Sequence, residues 1–108
     1  MSISTDLIST DLLIWLEALP MKHWEDRADW FRIACIMKYE GETIQEFVRL
    51  SRRFKGYEQE PMDTYQKVWD SVKEYEITRA TLCYWVKQHD EDLFKQLRKE
   101  TDEWFTIQ

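Results

Sequence analysis

Two glycines and two prolines are all that 108 residues contain, whereas average usage would supply about 12% of the two together. Sandwiches and barrels turn every 8 to 12 residues or so, and their turns draw on Gly and Pro. A chain this poor in both has few ways to make a β fold or a glycine-rich phosphate loop. Helices need neither residue in their interiors. Hydrophobic residues make up 44% of the chain, enough to drive one core, and the length suits a single domain over residues 1–108.

Apolar spacing agrees with this restriction, because it follows the helical period in almost every window and strict alternation in none. Leu12, Trp15, Leu16 and Leu19 predict a first helix closed by Pro20. Asp26 caps a second, with Trp30, Ile33, Ala34 and Met37 on one face and Gly41 at its end. Thr43 caps a third, whose inner stripe is Ile44, Phe47, Val48 and Ser51. After a loop from Lys55 to Pro61 come a fourth helix (Tyr65, Val68, Trp69, Val72), a fifth from Thr78 (Leu82, Trp85, Val86) and a sixth from Asp90 (Leu93, Phe94, Leu97), extended toward Trp104. The expected fold is all-α, a compact bundle of five to six short helices joined by short connections.

A net charge of −6 argues against nucleic acid as a partner until its distribution is examined. Residues 1–30 carry two basic and six acidic side chains, and residues 88–108 three and six, which leaves residues 31–87 at +1. Within that middle, Arg49, Arg52, Arg53 and Lys55 stand together with no acid between Glu46 and Glu58. The three arginines, at i, i+3 and i+4, share one face of the third helix opposite its apolar stripe. Lys55 and Tyr57 continue that face into the loop. A phosphate-contacting patch and a solvated face complementing the helix dipole both fit this spacing. Arg79, near the start of the helix capped by Thr78, is a further exposed cation on an element that fits a groove-reading helix as well as an ordinary amphipathic one.

Other chemistry finds little footing. His23, Cys35, Cys83 and His89 have none of the paired spacings of zinc sites, and both cysteines lie in apolar stretches. No nucleophile elbow or Walker sequence occurs, and Glu25/Asp26 and Asp90/Asp92 sit where helices begin and carboxylates serve as caps. No catalytic, metal or cofactor site is expected. Of the six tryptophans, Trp15, Trp30, Trp69 and Trp85 fall on apolar stripes, leaving Trp24 and Trp104 as the candidates for exposure. The apolar runs are too short for a membrane span, and unpaired cysteines without a secretory leader point to an intracellular setting.

The order of the elements adds a resemblance. Asp29-Trp30-Phe31-Arg32-Ile33-Ala34, then Phe47 to Ser51 followed by Tyr57, then Tyr65 to Trp69, then Ile77-Thr78 with Thr81-Leu82 and Trp85-Val86-Lys87, resemble the second type of primase C-terminal domain over about residues 27–94. The form is similar to that in primase-helicases of large DNA viruses and mobile elements. Ala34 stands where the family often has Gly, and Phe54 where many members have Ser. The resemblance implies a helical bundle without catalytic residues, placed after a primase core and before a helicase in the longer proteins. It would hold template or initiating nucleotide near the core during primer initiation, inside a host cell's cytoplasm or nucleus if viral. Arg49, Arg52, Arg53 and Lys55 would meet phosphate with Tyr57 adjoining, and Trp30, Trp69, Leu82 and Trp85 would anchor the fold.

The partners this implies are single-stranded DNA or a primer-template, weakly bound, and primase core and helicase domains in cis. Composition favours a different reading, a protein-interaction or spacer bundle whose acidic surface binds no nucleic acid. A third is a small helical DNA-binding domain that uses the helix from Thr78, with Arg79 as its contact.

Overall fold

The computed structural model describes residues 10–54, 56–73 and 77–102. Among these residues seven helices follow one another: α1 (Thr10–Glu17), α2 (Met21–Glu25), α3 (Arg27–Tyr39), α4 (Ile44–Ser51), α5 (Met62–Ser71), α6 (Arg79–His89) and α7 (Glu91–Glu100). There is no strand among the described residues. The all-α class holds, and the radius of gyration of 13.9 Å is close to the roughly 13 Å of a compact chain this long. The count exceeds five to six because of α2. Pro20, expected only to end α1, also occupies the N-cap position of this five-residue helix (φ −59°), and one turn and a half is too short to show a periodic stripe.

The caps fall where their side chains dictate. Asp26 accepts from the Asp29 amide at 2.9 Å, Thr43 from Glu46 at 3.3 Å, Thr78 from Ala80 at 3.2 Å and Asp90 from Leu93 at 3.0 Å, so each satisfies an amide that the first turn leaves open. At the end of α3, Gly41 takes φ +86°. Its amide donates to the Lys38 carbonyl at 3.1 Å and that of Glu42 to Met37 at 2.9 Å, the paired bonds of a Schellman cap.

α3 is the central helix. Trp30, Ile33, Ala34, Cys35, Ile36 and Met37 are all buried, because α2, α4, α5 and α6 pack around it. Trp30 forms the middle of an aromatic cluster, stacked on Phe47 at 5.2 Å and Tyr57 at 4.5 Å and edge-on to Tyr65 at 5.7 Å. Its Nε1 donates to Ser51 Oγ at 2.8 Å. α6 and α7 meet at the single residue Asp90 and pack on each other, and α1 lies against α6. Trp15 of α1 donates through Nε1 to Thr101 Oγ1 at 3.0 Å, just past α7, so the two ends of the bundle are pinned together. Trp24 is buried rather than exposed, stacked on Phe54 at 5.0 Å. Trp104 lies outside the described residues.

Candidate nucleic-acid interface

The inner stripe of α4 sinks Phe47, Val48 and Ser51 into the core and half-buries Ile44. That rotation turns Arg49, Arg52 and Arg53 outward, as the spacing predicts. Each guanidinium is nevertheless engaged. Arg49 grips Glu46 with two bonds, Nη2 to Oε2 at 2.8 Å and Nε to Oε1 at 3.2 Å, and that hydrogen bonding raises its already high pKa further. Glu46 is itself 8% exposed, an acid that sequence places at the edge of the basic run and folding lays against it. Arg53 reaches across to Glu17 of α1. Arg52 donates through Nη2 to the Glu60 carbonyl at 3.2 Å, with its guanidinium 5.4 Å from the centre of the Tyr65 ring.

Lys55 lies outside the described residues. Tyr57 does not extend the exposed face: it is 2% exposed, because its ring completes the stack on Trp30. Burial pushes its phenol pKa up, against the lowering effect of Arg27, and its hydroxyl has no hydrogen-bond partner among the described residues. The Tyr65 phenol is raised for the same reason, and its hydroxyl donates to the Tyr57 carbonyl at 2.6 Å.

Arg79 is likewise placed otherwise than expected. It is not a free reading residue at the front of α6 but binds Glu40 in a fork, Nη2 to Oε1 at 2.6 Å and Nε to Oε2 at 2.9 Å. The pair fastens the start of α6 to the end of α3. Beside it Lys38 donates to the Trp69 carbonyl at 2.8 Å, at the end of α5.

A cation that sequence reading missed joins the face from α3. Arg27 donates through Nη2 to Glu60 Oε1 at 2.9 Å, and its guanidinium lies 5.2 Å from the centre of the Trp30 ring and 4.8 Å from that of Tyr57. The contact with Trp30 is legible as an i, i+3 pair. The contacts with Tyr57 and Glu60, 30 and 33 residues along, exist only in the fold.

His23, Cys83 and Cys35 serve the core. His23 is buried, its Nδ1 2.9 Å from Asp29 Oδ2 and its ring stacked on Trp85 at 4.4 Å, which ties α2 to α3 and α6. Burial pushes the Cys83 thiol up to about 12 and raises that of Cys35, so both are protonated near neutrality and poor as nucleophiles. No three His, Cys, Asp or Glu side chains among the described residues stand so as to hold a metal ion. No helix among them is long and apolar enough to cross a membrane.

The family model described as primase C terminal 2 (PriCT-2) matches residues 12–86, from α1 into α6. No curated protein and no solved structure matches.

Proposed function

The chain belongs to the primase C-terminal 2 family, a primase-associated class of domain, and from that membership we propose that it is a non-catalytic accessory bundle that touches template or initiating nucleotide while a primase core starts a primer. The observation that supports this reading is the outward row of Arg49, Arg52 and Arg53, joined by Arg27, on a segment that lies within the family match. Guanidinium groups recognise phosphate by paired N–H bonds, and a row of them follows a backbone without reading its sequence.

Binding through this face is weak and salt-sensitive. Three phosphate contacts on a single strand give a slope of about −2 in log K against log salt. Arg49 and Arg53 must also release Glu46 and Glu17 before they meet phosphate. Weak contact suffices for a domain carried on the same chain as a DNA-binding core, where tethering supplies an effective concentration that reaches roughly the millimolar range.

The engagement of Arg49 and Arg53 by carboxylates also favours a second reading, in which the arginines are structural and an acidic bundle packs against a neighbouring protein domain. The two separate in one experiment. Binding of the 108-residue chain to single-stranded oligonucleotide is measured at low and moderate salt, for wild type and for Arg49→Gln/Arg52→Gln/Arg53→Gln, with thermal melts to verify folding. Salt-sensitive binding lost in the folded triple variant supports the phosphate-contact reading. Equal binding by both, or none by wild type at low salt, overturns it, as does unchanged primer synthesis by a primase carrying the triple substitution.

A further inference from the structure

Six of the seven arginines pair with a carboxylate: Arg27 with Glu60, Arg32 with Asp29, Arg49 with Glu46, Arg53 with Glu17, Arg79 with Glu40 and Arg98 with Asp102. Arg52 is the exception, with no carboxylate within ion-pair distance among the described residues; it donates to the Glu60 carbonyl and also hydrogen-bonds the Tyr65 side chain. Glu60 is therefore shared, holding Arg27 by its side chain and Arg52 by its backbone. The two cations come from different elements, the first residue of α3 and the residue that ends α4.

We propose that Arg27 and Arg52 form a phosphate-binding position in which Glu60 is an internal occupant, displaced when a phosphate group of nucleic acid or of a nucleotide arrives. This rests on the preceding reading that the domain contacts phosphate, and it moves the centre of that contact from the α4 row to its junction with α3.

The position is built before any ligand reaches it. Arg27 lies over Trp30 and Tyr57, and Arg52 over Tyr65. Those three rings are buried and joined to one another by stacking, edge contact and the Tyr65–Tyr57 hydrogen bond. Guanidinium planes seated on a rigid aromatic floor have already lost much of the side-chain freedom that anion binding would otherwise remove. Low-polarity rings beneath the charges also strengthen their field on the solvent side.

Glu60 is a weak competitor. In this pair Arg27 is 58% and Glu60 24% exposed, and a pair open to water on its cationic side holds less tightly than a buried one. The backbone of Glu60 is fixed independently, by the hydrogen bond its amide donates to the Tyr57 carbonyl at 3.1 Å and by Pro61 after it. Withdrawal of the carboxylate, whose side chain is 24% exposed, therefore asks for a side-chain rotation and not for movement of the loop. With it in place the trio carries +1, and with it withdrawn the two guanidiniums present +2 to an incoming anion. Phosphate answers with more acceptor oxygens than a carboxylate and accepts the Arg fork in pairs.

The test is equilibrium binding at low salt of two separate probes, a single-stranded oligothymidylate and ATP, to wild type, Glu60→Gln, Arg27→Gln, Arg52→Gln and Glu60→Gln/Arg27→Gln. Glu60→Gln keeps the side-chain shape and should tighten binding about fivefold, since it removes one opposing charge at a partly screened distance. Each arginine variant should weaken binding about tenfold, the scale of one charge-assisted contact, and the double variant should lose the gain. Tightening seen with the oligonucleotide alone identifies backbone phosphate as the ligand, and with ATP alone a nucleotide phosphate. Glu60→Gln carries the test even if an arginine variant melts early. Binding that Glu60→Gln does not tighten and Arg27→Gln does not weaken overturns this site, while loss in the α4 triple variant would leave the broader reading standing. Absence of binding by both wild type and Glu60→Gln overturns the two together.

Discussion

Replacing Arg79 by Ala should destabilise the fold rather than blunt a reading head. The fork between Arg79 and Glu40 has two bonds at 2.6 and 2.9 Å, with the guanidinium side chain 29% and the carboxylate side chain 10% exposed. At an effective dielectric near 20, a pair this close attracts by roughly 4 kcal/mol before desolvation is subtracted. What matters on truncation is the group left behind. Arg79→Ala strands a carboxylate that is nine-tenths covered, and breaking a fully buried pair costs about 3–5 kcal/mol. Solvent entry beside the partly exposed arginine brings that down to about 2 kcal/mol, or roughly 10 °C in melting temperature for a domain of this size. Glu40→Ala should cost less, because the longer arginine swings toward water. The double variant should be more stable than the sum of the single losses allows, with a coupling of about 1–2 kcal/mol. Urea denaturation of the four proteins gives the cycle, and oligonucleotide binding measured well below the melting temperature of Arg79→Ala separates stability from contact. A melting temperature for Arg79→Ala within about 2 °C of wild type would show that the Arg79–Glu40 pair adds little to stability. A tenfold loss of affinity in the folded variant would restore Arg79 as a contact residue.

Two further outcomes follow from the core. Trp30→Phe removes the Nε1 donor to Ser51 Oγ and part of the ring that Phe47 and Tyr57 stack on, and should cost about 2 kcal/mol, against about 4 for Trp30→Ala, by urea denaturation; equal losses would mean that the ring, and not its donor, is immaterial to the cluster. The chain should also lose stability in alkali. Cys83 has its pKa raised from 9.0 to about 12 by burial, and Cys35, Tyr57 and Tyr65 are raised by burial as well. The folded state therefore keeps protons that the unfolded chain releases above about pH 9, so this stabilisation is complete below that pH and lost as pH climbs toward the folded values. Cys83 alone accounts for a loss on the order of 4 kcal/mol by pH 12; Cys83→Ala should flatten the decline in urea midpoint between pH 9 and 11, and parallel profiles for the two proteins would contradict this assignment.

Local chemistry carried most of the fold into the sequence. Asp26, Thr43, Thr78 and Asp90 cap the helices that their positions predict, and Gly41 ends α3 through the backbone conformation that glycine adopts most readily. α2 escaped because a helix of five residues depends on its neighbours: His23 and Trp24 are held by Asp29, Trp85 and Phe54, none of which is adjacent in sequence. Phe54 is the ring on which Trp24 stacks.

By itself the sequence determined the helical class, the family and the outward turn of Arg49, Arg52 and Arg53, because capping, periodicity and face assignment all act within a few residues. It could not determine which charges remain uncompensated. Ion pairs form between whichever side chains packing brings within about 4 Å, and Glu17, Glu40 and Glu60 reach arginines from 36, 39 and 33 residues away. Tertiary structure alone therefore moved Tyr57 from the surface into the core, committed Arg79 to Glu40, and tied Arg27 and Arg52 to a single glutamate, one through its carboxylate and the other through its carbonyl.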